Sequence, residues 1–184
     1  MKSRIVLAAL LIGFLGTKVA WAQEPGFPGP TVEHAVLKKD VGTWTADATI
    51  FMPGMPEETA PGEEVVTMVG EFWSVGNYSM EFIGTKFNGQ GTTGYDAEKK
   101  KYIGSWVDSM SPYAMHMEGT WDEATRTMTM FSVGKDPAGV AKKGKLVTVH
   151  SEDGNTRVMS MFDLVADTED EFVKTMVIKY TKKK

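Results

Sequence analysis

Apolar and polar residues alternate one by one along most of this chain. Between Thr43 and Ile50 every second residue is apolar (Trp44, Ala46, Ala48 and Ile50), which is the period of a strand with one buried face. Comparable strand-like runs follow at about 64–75, 77–87, 90–96, 101–109, 113–121, 126–133, 145–151, 156–165 and 171–181. No helical stripe interrupts them, so the pattern predicts nine or ten successive strands.

Turn-forming residues separate these runs. A proline-rich and acidic loop is expected at 53–62, and turns are expected at Gly76-Asn77, Asn88-Gly89, Asp96 to Lys99, Asp122 to Thr125, Asp136 to Gly139, and Asp153-Gly154-Asn155. Strands joined without crossover helices form hairpins, and closing the hairpins into a barrel removes exposed edges. The sequence therefore predicts an all-β fold, a single antiparallel up-and-down barrel of about nine or ten strands.

The segment before the strands divides into three parts. Residues 1–22 combine Lys2 and Arg4, the apolar run Ile5 to Leu15, and Ala20-Trp21-Ala22, an order typical of a cleavable signal peptide. The run is too short to span a bilayer, which takes roughly 20 residues. Residues 23–30 are rich in proline and glycine and predict a flexible linker. Thr31 is expected to cap a short helix reaching about Val41, at the start of a barrel domain covering 31–184.

Composition narrows the function classes. The formal net charge is −4, and removing a leader with three basic and no acidic residues would make the chain more acidic. Such a surface repels phosphate backbones, so no nucleic-acid partner is expected. No later run is apolar enough to cross a membrane, so we expect no membrane partner after cleavage. The chain has no cysteine, which excludes disulfides, thiolate metal sites and a lipidated cysteine anchor. We expect an exported protein, periplasmic or secreted.

Several ordered motifs resemble one family. Glu33-His34 with Val41-Gly42-Thr43-Trp44, Thr93-Gly94-Tyr95-Asp96, the run Trp106 to Met110, and Glu118 to Asp122 resemble the domain of unknown function 1579 (DUF1579) family over nearly the whole mature chain. The resemblance implies a lipocalin-like barrel in mostly bacterial, often exported proteins. It implies no catalytic residues and no settled biochemical role.

The opening Gly42-Thr43-Trp44 also resembles the G-x-W signature of lipocalins. In that family the tryptophan closes one barrel end and an arginine of the last strand packs across it. This chain has no arginine after Arg157, so Lys174 or Lys179 is expected to take that place.

Two glycine-rich segments match nucleotide-binding motifs only in part, so no cofactor is expected. Gly89 to Gly94 fits the dinucleotide pattern, but a strand end and a turn follow instead of the required helix. Gly139 to Lys145 fits the phosphate-loop spacing, but Leu146 stands where a magnesium-binding hydroxyl is needed.

Methionine carries the strongest candidate site. Six of the thirteen methionines form Met-x-Met pairs, namely Met115/Met117, Met128/Met130 and Met159/Met161, and residues two apart in a strand share a face. Three interpretations are open: core filling, a deformable pocket for a small apolar ligand, and Cu(I) held by thioethers. The predicted cavity residues are Met115, Met117, Met128, Met130, Trp106, Asp108 and Tyr95.

Binding of a small apolar ligand inside the barrel is the favoured function. A haem protein is an alternative, because nitrobindin-like barrels have a similar Gly-Thr-Trp opening and hold haem through one histidine. An enzyme using Asp108, Tyr95 and His116 is another, although no oriented nucleophile–base pair is visible in the sequence.

Overall fold

The computed structural model describes residues 29–184. The predicted signal peptide and most of the predicted linker lie outside the described residues. The first element is a helix, α1 (Val32–Leu37), followed by a 3₁₀ turn, Lys38–Asp40. At its start the Thr31 backbone N–H donates to Nδ1 of His34 at 3.0 Å, a capping role that sequence analysis did not give to histidine. None of the helices within residues 29–184 is long and apolar enough to span a membrane.

Ten strands follow without any helix between them. They are β1 (Gly42–Ile50), β2 (Glu58–Val69), β3 (Trp73–Phe82), β4 (Thr85–Asp96), β5 (Lys101–Asp108), β6 (Met115–Asp122), β7 (Thr127–Lys135), β8 (Ala141–His150), β9 (Thr156–Leu164) and β10 (Phe172–Lys182). Each strand pairs antiparallel with its sequence neighbours, and β1 also pairs with β10, which closes the barrel. The predicted all-β, lipocalin-like antiparallel barrel with a short N-terminal helix is confirmed.

Two predicted turns are wrong. Gly76 lies within β3 opposite Gly91, and Gly89 lies within β4 opposite Tyr78. A Cβ at Gly89 would lie 2.0 Å from the Trp106 ring, so this glycine makes room for a large interior side chain instead of bending the chain. The turns beside β3 contain Gly70 and Gly84 instead, both at positive φ.

The predicted loop at 53–62 is also too long. Strand β2 already begins at Glu58, and its Ala60 is buried opposite Ala48 of β1. Proline in this segment led the sequence analysis to a loop, but Pro61 pairs with Asp47 within the strand.

The barrel interior has two halves, which we call the helix end and the far end. At the helix end β1 begins, β10 ends, and α1 packs on the opening, with Leu37, Tyr102 and Met130 forming one buried cluster. A second buried cluster continues from there along β1, β2, β3 and β10: Trp44, Ala46, Ala48, Val66, Tyr78, Ile178 and Tyr180. At the far end β1 ends at Ile50 and β10 begins.

Candidate functional site

The helix end is organised around the indole of Trp44. This side chain is fully buried, and its Nε1 donates to the backbone oxygen of Asp40 at 2.8 Å. The guanidinium carbon of Arg157 lies 4.6 Å from the Trp44 ring centroid and 4.4 Å from that of Tyr180. Trp44 therefore closes the barrel end in the way that the G-x-W resemblance implied.

The prediction that Lys174 or Lys179 packs on Trp44 is wrong, however. Lys174 and Lys179 are exposed on the outer face of β10. Arg157 of β9 supplies the cation because it sits opposite Tyr180 of β10, on the inward-facing side of the sheet. Lys182 adds a second charge, with its Nζ 5.1 Å from the Trp44 centroid.

Arg157 also joins a buried network of charges. Its guanidinium is paired with the carboxylates of Asp40 and Glu64, and Nε2 of His150 lies 2.8 Å from Oδ1 of Asp40. Within the described residues, Nδ1 of His150 and Nε of Arg157 have no hydrogen-bond partner. The network ties the 3₁₀ turn to β2, β8 and β9, and so fixes the N-terminal segment on the barrel.

The two carboxylates respond to this environment in opposite directions. Burial alone would raise the pKa of Asp40, but the charge of Arg157 and the hydrogen bond with His150 outweigh it, and the pKa lies below its usual value. For Glu64 burial prevails over the attraction of Arg157, so its pKa is raised. The positive charge of Arg157 is itself favoured, since Asp40 and Glu64 outweigh the effect of burial and raise its pKa.

Aromatic residues complete the packing beneath α1. The Tyr102 hydroxyl donates to the backbone oxygen of Glu33 at 2.9 Å, and burial raises the pKa of Tyr102 to about 12. The buried imidazole of His34 contacts Phe72 and Tyr95 edge-on. A cleft of about 390 Å³ lies between α1 and the ends of β4 to β6 and includes Tyr95 and Trp121. At the helix end, packed side chains and hydrogen bonds therefore surround a small surface cleft.

The predicted cavity residues all belong to the inward-facing side, but they fall into two groups. Tyr95, Met117, Met128 and Met130 pack at the helix end around Leu37 and Tyr102. Trp106, Asp108 and Met115 lie towards the far end, where Trp106 is paired with Met115 across β5 and β6. The structure therefore does not bring the seven residues into one site.

The far half holds Trp106 together with four interior residues that were not among the predicted cavity residues. Partly buried side chains pack against the buried cluster there, and we call them the far-half group: Met80, Phe87, Trp106, Met159 and Met176. Each of these inward-facing side chains is only partly buried. The pair Met159/Met161 was the available sequence signal, whereas Met80 and Met176 stand alone in the sequence.

Trp106 is held in a defined orientation within this group. Its ring stacks on Phe87 with centroids 6.4 Å apart and planes at 18°, and its Nε1 donates to Oδ2 of Asp108 at 3.0 Å. Oδ1 of Asp108 accepts from the backbone N–H of Met110 at 2.8 Å. The carboxylate is thus engaged in positioning the indole, and the stacked rings of Trp106 and Phe87 present apolar surface beside it.

A groove of about 530 Å³ runs along β2 to β5. Most of its lining residues face away from the interior, among them Glu63, Asn77 and Gln90. Nε2 of Gln90 donates a hydrogen bond to Oδ1 of Asn77 at 2.9 Å. The groove is therefore a feature of the outer wall, separate from the far-half group.

Neither the enzyme nor the haem alternative finds its residues together. Asp108 lies at the far end, Tyr95 at the helix end, and His116 on the exposed outer face. His34 and His150 are engaged at the helix end, so none of the three histidines faces the far half, and the residues present do not fit a histidine-held haem there. In the part of the chain that the structure describes, no three His, Cys, Asp or Glu residues are placed to hold a metal ion.

Comparison with solved structures identifies the same fold. The crystal structure of Rv2717c from M. tuberculosis has a TM-score of 0.63 at 11% identity, covering 85% of this chain and 100% of that one. The S-type phycobiliprotein lyase CPES from Guillardia theta has a TM-score of 0.53 at 10% identity, covering 84% and 99%. At such identities the likeness concerns the fold alone.

Sequence comparison gives the family. No curated protein matches the chain. The family model described as protein of unknown function (DUF1579) matches residues 29–182, which include the helix, the tryptophan that closes the barrel and the whole of the last strand. The chain belongs to the DUF1579 family.

Proposed function

We propose that this protein binds a small apolar molecule in the far half of the barrel interior. The observation that carries the proposal is the far-half group itself. Its five side chains face the interior, carry no charge and are only partly buried.

The side chains of the far-half group suit such a ligand. Methionine is unbranched and polarizable, so a Met-lined wall adapts to ligands of different shape. The stacked rings of Phe87 and Trp106 add a flat surface for an unsaturated or aromatic ligand. Pockets of this kind bind mainly by apolar contact, with few polar groups to fix orientation.

The likeness to the phycobiliprotein lyase is consistent with a small ligand without naming one. We also propose that the protein is exported, on the strength of the leader-like segment at residues 1–22.

Two measurements test the binding proposal. Native mass spectrometry of protein purified from its own host would show a co-purified molecule as a defined mass increment. Titration with the neutral apolar dye Nile red then measures the empty site. Replacing Met159 and Met176 with Phe should fill the far half and lower dye affinity while the melting temperature holds or rises.

A matched variant distinguishes interior from surface binding. Phe131 lies on the outer face and is about half exposed, so Phe131→Ser should leave Nile red affinity unchanged. Dye affinity that falls in Phe131→Ser and holds in the Met159/Met176 variant would refute the interior site.

A further inference from the structure

The outer faces of β7 to β10 carry an unusual set of side chains. Strand register places Phe131, Lys145, Phe162 and Lys174 in one row across the sheet. In the next row Val133 pairs with Lys143, and Leu164 pairs with Phe172. We call these eight residues the basic face. Phe131 and Val133 are each 52% exposed, so apolar surface lies open to solvent between lysines.

The lysines lie directly on the aromatic rings. The Nζ of Lys145 is 5.1 Å from the Phe162 centroid and 4.6 Å from that of Phe172. Lys174 approaches Phe162 from the other side at 5.7 Å. Since lysine stems cover apolar surface while the ammonium stays in water, the basic face presents rings and positive charges at the same level.

The charge of this region differs from that of the rest of the barrel. Strands β7 to β10 are described in full, and no Asp or Glu occupies an outward-facing position in them, whereas Lys135, Lys143, Lys145, Lys174 and Lys179 do. The outer face of the other strands carries acids instead, including Asp47, Glu63, Glu81, Glu118 and Asp122. In a chain of net charge −4, outward-facing lysines therefore outnumber acids on β7 to β10, and the reverse holds on the other strands, where Lys86 and Lys101 face outward.

We propose that the basic face docks on the surface of an anionic lipid bilayer. Exposed phenylalanine and aliphatic side chains enter the boundary between headgroups and acyl chains, and the neighbouring lysines contact anionic headgroups. The sequence predicts no membrane partner because it has no later run that could span a bilayer. Docking of one face of a sheet needs no such run, so the sequence pattern does not reveal it.

The chemistry of the face favours a lipid surface over a protein. The two rows consist of Phe, Val, Leu and Lys only, so their side chains lack the hydrogen-bond acceptors that orient a protein interface. The barrel is closed, so these strands also have no free edge to which a partner strand could pair.

Vesicle flotation tests this proposal with the protein as purified, its N-terminus determined by mass spectrometry. We expect partition into phosphatidylcholine vesicles that contain phosphatidylglycerol, little partition into pure phosphatidylcholine, and release by salt as the charges are screened. Replacing Lys145 and Lys174 with Gln should weaken partition about 30-fold, the change expected when two lysines lose their attraction to an anionic leaflet.

A charge-matched variant serves as the control. Lys86 lies exposed on the outer face of β4 and Lys184 at the C-terminus, so replacing both with Gln changes the net charge equally and should leave partition unchanged. Phe131→Ser should weaken partition without altering its dependence on salt. Circular dichroism melting shows that each variant is folded.

Three results would overturn the proposal. The first is no partition into anionic vesicles. The second is a lack of specificity. Equal partition of the two lysine variants would point to net charge, and equal binding to neutral vesicles would point to the N-terminal apolar segment. The third is self-association in solution that Phe131→Ser abolishes without any vesicle binding, which would make the face a contact between protein copies. The inference does not depend on an interior ligand.

Discussion

The guanidinium of Arg157 stacks on the indole of Trp44, with 4.6 Å between the guanidinium carbon and the ring centroid. The two residues belong to β9 and β1, which are not hydrogen-bonded neighbours because β10 lies between them. The contact therefore joins strands across the interior, and it brings a buried cation to the carboxylates of Asp40 and Glu64.

Trp44→Ala should be strongly destabilising. The side chain is fully buried, and removing a large aromatic side chain from a packed core costs about 3–5 kcal/mol. Urea unfolding measures the change. Trp73 is the control, because it lies on the outer face and is 40% exposed, and Trp73→Ala should cost clearly less. Equal losses for the two variants would mean that Trp44 does not anchor the barrel end.

Arg157→Met should also be costly, for an electrostatic reason. It leaves the partly buried carboxylates of Asp40 and Glu64 without their common counter-charge, and breaking a buried pair costs up to about 3–5 kcal/mol. Adding Glu64→Gln should recover part of that loss, since one of the unpaired carboxylates is then gone.

The control for Arg157 is an exposed ion pair. Lys101→Met breaks the exposed pair between Lys101 and Glu118 and should cost at most about 1 kcal/mol. A loss for Arg157→Met no larger than that for Lys101→Met would show that the buried network contributes little to stability.

The stability of the folded state should fall in acid partly through Asp40. Its folded pKa lies below the unfolded value of 3.8, so its ionised form stabilises the fold above that pH, and the stabilisation is lost as pH falls through the folded pKa. Glu64 acts in the opposite sense, because its pKa is raised above 4.5 and its ionisation on raising the pH opposes folding.

Urea unfolding between about pH 2 and pH 6, the range in which carboxyl groups titrate, separates the contributions of Asp40 and Glu64 to stability. Asp40→Asn should give a shallower acid slope than the wild type, and Glu64→Gln should remove the loss that accompanies rising pH. Asp47→Asn, at an exposed position of β1, should change neither slope. An unaltered acid slope in Asp40→Asn would contradict the assignment.

The barrel followed from the sequence because most of its strands alternate strictly. Trp44, Ala46 and Ala48 are inward and buried as their spacing requires. The failures have a common cause, which is that the role of an inward-facing residue depends on a strand distant in the sequence. Gly76 resembles a turn residue until the Glu64 carboxylate is seen to lie 2.7 Å from where its Cβ would be.

The candidate site was limited in the same way. A period of two identifies the face of Met128 and Met130 but not their height along the barrel, and α1 packs over the end at which they lie. The lipocalin resemblance implies a cation on the last strand, whereas in this barrel Arg157 of the strand before it packs on Trp44.

Export should remove the leader after Ala22. Mass spectrometry of the protein recovered from the cell envelope or the medium should give an N-terminus at Gln23 or its pyroglutamate, because Ala20 and Ala22 form the small-residue pattern read by the signal peptidase. Ala22→Leu should slow or block this processing, and Ala35→Leu, at an exposed position of α1, should not. An exported chain that retains Ile5 to Leu15 would overturn the predicted cleavage.

Met117 and Met115 should respond differently to the same enlargement, although both face inward from β6. Met117 packs against the helix-end cluster beneath α1, so Met117→Phe adds volume where the helix covers the barrel, and we expect a loss of about 1–3 kcal/mol with unchanged Nile red affinity. Met115 pairs with Trp106 in the far half, so Met115→Phe should lower dye affinity while stability holds. Urea unfolding and dye titration give both quantities for each variant.

Leucine replacements test the Cu(I) hypothesis on the same positions. Leucine is similar to methionine in size and apolar, so Met115→Leu and Met117→Leu should leave the fold intact and remove a thioether ligand. Because Met117 packs against the helix-end cluster and Met115 pairs with Trp106, we expect neither change to affect copper retention under reducing conditions. Stoichiometric Cu(I) binding that both variants abolish would mean that the methionines converge on a metal and that the division into two halves is wrong.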